Sequence, residues 1–538
     1  MRTAVALFLL VAAAILGIWW WLGAPVAMPP SPLAAGEKLF CVSYTPFRGS
    51  ETPLDLTTRI DAAEIEDDLT RLARISGCVR TYSTDFGLDR VAEIARRHGM
   101  QVIQGAWIGW DPVRNRREVE TAITLAKSFP DTIRAVVIGN ESLLRGEMAP
   151  ADLANLIRSV KARVSVPVTY ADVWEFWLRY PSVQAAVDFV TIHILPYWED
   201  FPVPAAEAAA HVEDIRQKLK AAFPDKEILI GEVGWPSAGR MRDGALPSPA
   251  NQARVVHDVL ATAKREHYRV SVIEAFDQPW KEHLEGTVGG HWGLLDGKTR
   301  EFKFAWGAAI SDHPYWRWQA GTGIALAALV FGAALAAQRR ERLVNEPMLG
   351  RWIGVAATGL TAGVLAGWAL ANVPIESLGL DGWARSLLLA ALAIATPIAG
   401  AAALMLRVTL PSFAQVIGPG ACRVPDPLKL ALGSLLILLC VFAIQSALGL
   451  VFDPRYRDFP FAPMTAALVP FLVLSVTRPQ REGRRGRTET VAAVLLAGSA
   501  IYIAFDESFA NWQALWLCAV FLGLGLTLWR LRDAQSSR

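Results

Sequence analysis

The distribution of apolar and charged residues divides the chain into two regions. Residues 37–310 combine short apolar runs with charged, helix-like patterns, whereas residues 318–530 are mostly long apolar runs joined by short charged loops. Another apolar run covers residues 4–24. We therefore expect a water-soluble domain that is joined at both ends to membrane-spanning segments.

Short runs rich in Val and Ile recur through the first region and predict eight β-strands. They cover residues 39–44, 78–83, 101–107, 134–139, 167–171, 189–194, 227–231 and 271–276. Helical patterns separate them at residues 65–75, 88–98, 119–128, 153–164, 205–223 and 251–267. This alternation predicts an α/β fold, a (β/α)8 TIM barrel, rather than an open doubly wound sheet. No glycine-rich phosphate loop follows the first strand, which argues against nucleotide binding.

Eight apolar runs are candidates for membrane spans. They cover residues 4–24, 318–337, 352–371, 387–406, 428–451, 461–476, 491–505 and 512–529, and two of them are short. The first run is interpreted as an uncleaved anchor, with a cleavable signal peptide as the alternative. The predicted organisation is an N-terminal anchor at 1–24, a linker at 25–36, the barrel at 37–310, and a polytopic all-α region at 311–538 with about seven transmembrane helices.

Charge in the loops predicts the orientation in the membrane. Basic residues cluster in alternate loops, at Arg339, Arg340, Arg342 and Arg351, at Arg478, Arg481, Arg484, Arg485 and Arg487, and at Arg530 and Arg532. The positive-inside rule places these loops in the cytoplasm. Both termini are then cytoplasmic and the barrel lies on the opposite side, which in a bacterium is the periplasmic face of the inner membrane.

Composition excludes some classes of function. With 53 basic and 51 acidic residues, the chain has no global bias towards nucleic acid. Cys422, Cys440 and Cys518 lie in or beside membrane runs, while Cys41 and Cys78 lie in two predicted strands. We expect buried free thiols at these two positions, with a bridge between neighbouring strands as the alternative. No metal-ligand spacing is present, so we predict neither a metal nor a cofactor.

The residues that follow the predicted strands have the composition of a sugar-binding site. In a TIM barrel the active site lies at the carboxyl ends of the strands. These ends carry Tyr44, Arg80, Tyr82, Trp107, Trp110, Asn140, Glu141, Tyr170, Asp172, His193, Tyr197, Glu232, Trp235, Asp277, Trp280 and Lys281. Aromatic faces stack on sugar rings, amides and charges bind hydroxyls, and paired carboxylates catalyse glycosidic cleavage. For His193, a hydrogen-bonded core histidine and a catalytic role both stay open.

Two segments carry a specific resemblance. Residues 138–141 (IGNE) and 230–237 (IGEVGWPS) resemble the signature segments of glycoside hydrolase family 17, the β-1,3-glucanases and β-1,3-glucan transglycosylases. Residues 43–44 (SY), 79–82 (VRTY) and 274–281 (EAFDQPWK) extend the resemblance, which covers about residues 37–307. One departure is Gln278, where family members often carry a glutamate.

The resemblance implies a retaining reaction with a role for each matched residue. Glu141 would be the acid/base at the fourth strand end and Glu232 the nucleophile at the seventh. Asn140 would bind the sugar 2-hydroxyl, Tyr197 would orient the nucleophile, and Arg80 would keep Glu232 ionised. The other expected substrate contacts are Tyr44, Tyr82, Trp235, Asp277, Trp280 and Lys281.

The resemblance and the predicted topology together suggest a β-glucan transglycosylase at the periplasmic face of the membrane, active in synthesis, branching or remodelling of a β-1,3/1,6-glucan. Endo-hydrolysis of β-1,3-glucan is the alternative, because water and sugar resolve the same glycosyl-enzyme. A glucan-binding membrane scaffold or export component is the alternative from another class. The expected partners are a β-glucan oligosaccharide or polysaccharide, membrane lipid, and, as a candidate, a membrane glucan synthase.

Overall fold

The computed structural model describes residues 2–341, 348–418, 426–478 and 483–532. The chain divides into two compact units, Val26–Ile310 and Met1–Pro25 with Ser311–Arg538. Arg342, Cys422 and Arg481, which entered the sequence analysis, lie outside the described residues.

The unit Val26–Ile310 contains a closed barrel of eight parallel strands in sequential order. The strands are β1 Cys41–Ser43, β2 Cys78–Arg80, β3 Gln101–Ala106, β4 Ile133–Asn140, β5 Val168–Val173, β6 Val190–His193, β7 Ile228–Val233 and β8 Arg269–Val272. The predicted TIM barrel is thus confirmed. The largest boundary error is at β8, which was predicted to reach residue 276 and ends at Val272.

Helices surround the barrel at Ala62–Leu72, Val91–Arg97, Pro112–Ser128, Pro150–Lys161, Trp174–Arg179, Pro181–Gln184, Ala208–Ala222, Pro249–Arg265 and Glu282–Glu285. Two of the long helices have clear start signals. Before helix Pro112–Ser128, the Asp111 side chain accepts hydrogen bonds from Val113 N and Arg114 N. Before helix Pro249–Arg265, the Ser248 side chain accepts a hydrogen bond from Asn251 N. Each then has proline in its first turn, where no backbone donor is needed. The two short helices after β5 were not among those predicted.

Alternate residues of the strands face opposite ways, which separates two cores. Val42, Val79, Val102 and Val136 belong to the large cluster shared with the helices. Their neighbours form a smaller cluster that fills the barrel interior and consists of Cys41, Cys78, Ile103, Val137, Ala171 and Leu229. Arg80 lies two positions after Cys78 and therefore shares the interior face, at the carboxyl end of β2.

Cys41 and Cys78 form a disulfide, so the expectation of free thiols at these positions is wrong. Val42 pairs with Val79 across parallel strands β1 and β2, which places the two preceding cysteines side by side, with Cα atoms 4.4 Å apart. This distance lies within the range that a disulfide requires. The strand register that creates it cannot be read from the spacing of the cysteines.

The segment before β1, predicted as a linker, makes ordered contacts with the barrel unit. Val26 and Ile310 form an antiparallel bridge, so the two ends of the unit are adjacent. His257 contacts the Pro30 carbonyl through Nε2 at 2.7 Å, and Lys264 pairs with Glu37 at 2.6 Å. Both residues belong to helix Pro249–Arg265.

The other unit is helical. In the part of this unit that the structure describes, seven helices are long and apolar enough to cross a membrane: Arg2–Leu22, Trp316–Arg340, Leu349–Glu376, Gly379–Leu406, Pro427–Phe452, Arg487–Asp506 and Trp512–Arg530. The remaining predicted span, residues 461–476, corresponds to a shorter apolar helix, Phe461–Thr477. A five-residue helix at Phe413–Ile417 was not predicted.

Candidate active site

The carboxyl ends of four strands bring five polar side chains together. Arg80 ends β2, Asn140 ends β4 with Glu141 directly after it, His193 ends β6, and Glu232 lies near the end of β7. Strand register shifts between Val137 and Asn140, between Ile192 and His193, and between Ile230 and Val233. Such irregularities commonly lie beside active sites, where they redirect side chains. All five residues were named from the sequence.

The two glutamates face each other through His193. Its Nδ1 lies 2.7 Å from Glu141 Oε1, and its Nε2 lies 3.4 Å from Glu232 Oε1. One oxygen of each carboxylate and a ring nitrogen all lie within 4.8 Å of one another. The side chain of Glu232 is 6% exposed and that of Glu141 is 21% exposed, so the pair is asymmetric: one acid is enclosed and the other reaches solvent.

Arg80 organises the enclosed side of the pair. Its Nη1 donates to Glu232 Oε1 at 2.8 Å and to the Gly231 carbonyl at 3.0 Å. Its Nη2 donates to Asn140 Oδ1, and the guanidinium lies 4.7 Å from the ring centre of half-buried Tyr82. Burial would raise the pKa of Glu232, but its electrostatic interactions with His193, Arg80 and Lys281 outweigh that effect and hold the pKa below its usual value.

The backbone presents Glu141 in an uncommon conformation. Its φ is +54°, in the left-handed region that non-glycine residues rarely occupy. Gly139 has φ +85°, and a Cβ there would lie 2.9 Å from Ser142 Oγ and 3.3 Å from the Tyr170 ring. Strain of this kind persists where the surroundings fix it and often marks functional positions. The chain thus turns sharply around Asn140 and Glu141, which projects the carboxylate towards His193.

Arg145 lies beside Glu141 on the solvent side. It donates to the Asn140 carbonyl at 2.6 Å, and its Nη1 is 3.9 Å from Glu141 Oε2. The guanidinium stacks 4.4 Å from the centre of the Trp107 ring. Trp110, three residues further along this loop, is 74% exposed. The loop after β3 therefore places aromatic surface next to the acid/base candidate.

Glu274 is a third carboxylate near this pair, and the sequence analysis did not select it as a site residue. Glu274 is fully buried, accepts a hydrogen bond from Thr45 Oγ1 at 2.7 Å and pairs with Lys281 Nζ at 2.9 Å. Burial raises its pKa, although Lys281 opposes the shift. The pKa of Lys281 is raised despite burial, because Glu274 favours the charged ammonium. A polar residue within the predicted strand 271–276 was the available signal, and the early end of β8 explains why it was overlooked.

Several predicted contacts make specific hydrogen bonds elsewhere in the barrel. The Tyr44 hydroxyl donates to Asp68 Oδ2 at 3.0 Å, and the Tyr197 hydroxyl donates to the Arg240 carbonyl at 2.8 Å. Trp235 is fully buried and donates to the Leu246 carbonyl at 3.1 Å. Asp277 pairs with Lys303 Nζ at 2.7 Å. The role of each in substrate binding stays a prediction.

Gln278, the departure from the family pattern, is a buried part of the loop scaffold. Its Nε2 donates to the Thr45 carbonyl at 2.8 Å and to the Phe276 carbonyl at 3.2 Å. Its Oε1 accepts from the indole nitrogen of Trp280 at 2.8 Å. Trp280 remains half-buried, so the amide fixes an aromatic ring that has part of its surface accessible.

Glu141, His193 and Glu232 form the one group of three or more His, Cys, Asp and Glu side chains, in the described ranges, that is close enough to share a metal ion. Arg80 already places positive charge 2.8 Å from Glu232 Oε1 and 3.2 Å from His193 Nε2. A cation would be repelled at that position. The charges are better suited to holding one carboxylate ionised for nucleophilic attack.

Comparison with known proteins finds similarity to glycoside hydrolases. Residues 41–293 match the model of the BtgE/BtgC glycoside hydrolase domain. The chain is 30% identical over 225 residues to a probable beta-glucosidase btgE of Neosartorya fischeri, covering 40% of each protein. It is 28% identical over 258 residues to a glucan 1,3-beta-glucosidase of Candida albicans, covering 44% of this chain and 83% of that protein.

Among solved structures, a glycoside hydrolase family 17 β-1,3-glucanosyltransferase from Rhizomucor miehei is 26% identical, with a TM-score of 0.43. That match covers 49% of this chain and 95% of the other. The chain spans 40% of the length of the first btgE relative, so the shared part is the barrel domain. The resemblance found in the sequence is confirmed, because residues 41–293 match the BtgE/BtgC glycoside hydrolase domain.

Proposed function

We propose that the protein is a retaining β-glucan transglycosylase that acts on β-1,3-glucan, with Glu232 as nucleophile and Glu141 as acid/base. The observation that carries this proposal is the approach of the two carboxylates, with one oxygen of each within 4.8 Å. Retaining enzymes hold their carboxyl groups about 5–5.5 Å apart, whereas inverting enzymes separate them by about 6.5–9.5 Å to admit water. The short separation favours attack by Glu232 itself.

In the first step, Glu232 attacks the anomeric carbon while Glu141 protonates the departing glycosidic oxygen. Arg80 favours the ionised form of Glu232 that this attack requires, because it donates to Oε1 at 2.8 Å. With its oxygen engaged by Arg80, Asn140 offers its amide N–H to the 2-hydroxyl of the bound sugar. The bond to the leaving sugar breaks and a glycosyl ester of Glu232 forms.

In the second step, Glu141 accepts a proton from the incoming hydroxyl, which attacks the anomeric carbon and releases Glu232. The β-configuration is restored after two inversions. A sugar acceptor gives transfer and water gives hydrolysis. The Trp107 ring, which stacks on Arg145 next to Glu141, supports the binding of a sugar acceptor, since aromatic faces stack on sugar rings.

The choice of β-1,3-glucan is supported by the similarity to the Candida albicans relative, a glucan 1,3-beta-glucosidase. Product analysis tests it. Full-length protein in detergent should convert a β-1,3-linked oligosaccharide of defined length into both longer and shorter chains, including branched ones. Only shorter products would establish the alternative, an endo-β-1,3-glucanase. Glu232→Gln is the control for contaminating activity.

The periplasmic location is also part of the proposal. Loop charges support it through the positive-inside rule, and the Cys41–Cys78 disulfide supports it because disulfides form in oxidising compartments. A periplasm-active reporter fused after residue 310 should be active, and the same reporter after Arg487 should be inactive. Activity of the Arg487 fusion would contradict the topology.

A membrane location would suit synthesis, branching or remodelling of a β-1,3/1,6-glucan as it leaves a membrane synthase, which is the proposed partner. The candidate from another class is a glucan-binding scaffold or export component. The paired, oppositely placed carboxylates favour the enzyme. Glucan binding without any covalent labelling or product would favour the scaffold.

A further inference from the structure

One buried histidine contacts both glutamates of the proposed reaction and Arg80. The His193 side chain is fully buried, with Nδ1 2.7 Å from Glu141 Oε1. Its other nitrogen, Nε2, lies 3.2 Å from Arg80 Nη2 and 3.4 Å from Glu232 Oε1. A single imidazole therefore connects the acid/base, the nucleophile and the arginine that supports the nucleophile.

Arg80 and Glu232 favour opposite protonation states of Nε2. The Arg80 guanidinium can only donate, so a hydrogen bond from Nη2 requires a lone pair on Nε2. The carboxylate of Glu232 can only accept, so it attracts a proton to the same nitrogen. The balance between these partners therefore depends on whether Glu232 carries a negative charge.

We infer that His193 is a positioning residue for the second half of the reaction, an inference that rests on the proposed function. In the glycosyl-enzyme, Glu232 is an ester and has lost its charge. Arg80 then donates to Nε2, and the single ring proton is on Nδ1. The Nδ1–H donates to ionised Glu141 and holds that carboxylate as the base for the incoming hydroxyl. The ring remains neutral and transfers no proton to the substrate.

The surroundings keep the ring in this position. A Cβ at Gly231 would lie 2.4 Å from the Thr191 side chain and 3.4 Å from the His193 ring, so the neighbouring strand is packed closely against both. Asp172, at the end of β5, interacts electrostatically with both Glu141 and His193. A hydrogen-bond donor to Glu141 offsets the repulsion between Glu141 and Asp172 in the step where Glu141 is ionised.

Three substitutions separate the two edges of the ring. Phenylalanine keeps the ring shape and removes both nitrogens. Asparagine places an amide near the position of Nδ1, towards Glu141, whereas glutamine reaches the position of Nε2, towards Arg80. If the contact with Glu141 is what matters, His193→Asn should retain most of the function, and His193→Gln should behave like His193→Phe.

The test uses full-length protein and an aryl β-laminaribioside with a good leaving group, whose cleavage in the first step needs little proton assistance. For His193→Phe and His193→Gln, kcat should fall about 10- to 100-fold, part of what a positioned base contributes. Their kcat/KM should stay within about 3-fold of wild type, because only the second step is slowed. The glycosyl-enzyme should accumulate, and KM should fall with kcat. His193→Asn should recover most of kcat.

Labelling of Glu232 by a 2-fluoro glycoside in each variant shows that the barrel is folded and the first step intact. Equal losses in kcat and kcat/KM for a variant that still labels would overturn the inference, as would an asparagine variant no better than glutamine. If wild type neither labels nor turns over this substrate, the proposed function itself fails. If the wild type is active and the variants match it, only the inference about His193 fails.

Discussion

The barrel and the helical unit provide hydrogen-bond partners for their polar side chains in different ways. In the barrel, the bonds join residues far apart in sequence: Arg80 reaches Asn140 and Glu232, and Thr45 reaches Glu274. In the helical unit, hydroxyls mostly donate to a carbonyl four residues earlier in the same helix, as at Thr322, Thr465, Thr477, Thr490 and Thr527. Such local bonds satisfy a polar group in an apolar environment without a partner helix.

The difference separates the cluster of charged side chains in the barrel from helices that are long and apolar enough to cross a membrane. Long-range networks hold charges of opposite sign in fixed positions, which costs desolvation energy and is worthwhile where a reaction requires it. The helical unit has exceptions, since Glu489 accepts from the Phe413 backbone N–H and Arg351 donates to the Met405 carbonyl. Both of these bonds join a side chain to a backbone group in another segment of the chain.

Loss of Glu232, the proposed nucleophile, should have the largest effect on turnover. Glu232→Gln should lower turnover by about 10⁴-fold or more, because an amide cannot form the glycosyl ester. Mass spectrometry after treatment with a fluorinated glycoside should locate the label on Glu232 in wild type. The matched control is Glu301→Gln, a barrel carboxylate whose side chain is 77% exposed. Labelling of another carboxylate would contradict the assignment.

Loss of the acid/base should have the next largest effect. Glu141→Ala should lower turnover of β-1,3-glucan by about 10²–10⁴-fold, the usual contribution of general acid–base catalysis. With an activated aryl glycoside the glycosyl-enzyme should still form and accumulate. Azide, which needs no deprotonation, should restore turnover and yield the β-glycosyl azide. Absence of rescue and of that product, with Glu232 still labelled, would exclude Glu141 from this role.

Removal of the disulfide should distinguish the two units by stability. Replacing both Cys41 and Cys78 by serine opens a loop with a sequence separation of 37 and should destabilise the barrel by about 2–4 kcal/mol. The thermal transition of the barrel in the full-length protein, with and without reductant, is the measurement. Replacing the buried thiols Cys440 and Cys518 in the helical unit is the control and should leave that transition unchanged. A reductant-insensitive wild type would contradict the bridge.

Arg80 should control the pH dependence of the first step. The attacking Glu232 must be ionised, and its pKa is held low against burial by His193, Arg80 and Lys281. Removing the charge in Arg80→Gln raises that pKa, so the acid limb of kcat/KM should move to higher pH. We expect a shift of about one unit, equivalent to about 1.4 kcal/mol. Arg80→Lys keeps a positive charge and should shift the acid limb less. If the acid limb of kcat/KM does not move in either variant, Arg80 does not control the pKa of Glu232.

Two threonine substitutions test the hydrogen-bonding contrast between the units directly. Thr45→Val removes a long-range bond and leaves an oxygen of buried Glu274 without that donor, which should cost about 1–3 kcal/mol. Thr527→Val removes only a bond to the Gly523 carbonyl of its own helix and should cost about 0.5 kcal/mol or less. Thermal unfolding of the two full-length variants gives the comparison. Equal destabilisation would remove the distinction between the units.

Features that depend on local composition and order could be predicted from the sequence. The Val- and Ile-rich runs separated by helical patterns determined the barrel, because burial imposes a characteristic spacing of apolar residues on strands and helices. The long apolar runs determined the helical unit, because a helix that spans a membrane needs a minimum length. The segments 138–141 and 230–237 identified Glu141 and Glu232 by their order along the chain. The strand that ended early, β8, was misjudged because hydrophobicity continues beyond the last ladder hydrogen bond.

Tertiary structure decided what depends on register and distance. The alignment of β1 with β2 joins Cys41 to Cys78, and the register shifts at the strand ends bring His193 between the two glutamates. Neither follows from spacing in the chain, because a one-residue change of register turns every side chain of a strand to the other face. The sequence therefore determined which residues are available for the reaction, whereas the closure of eight strands into one barrel determined which of them meet.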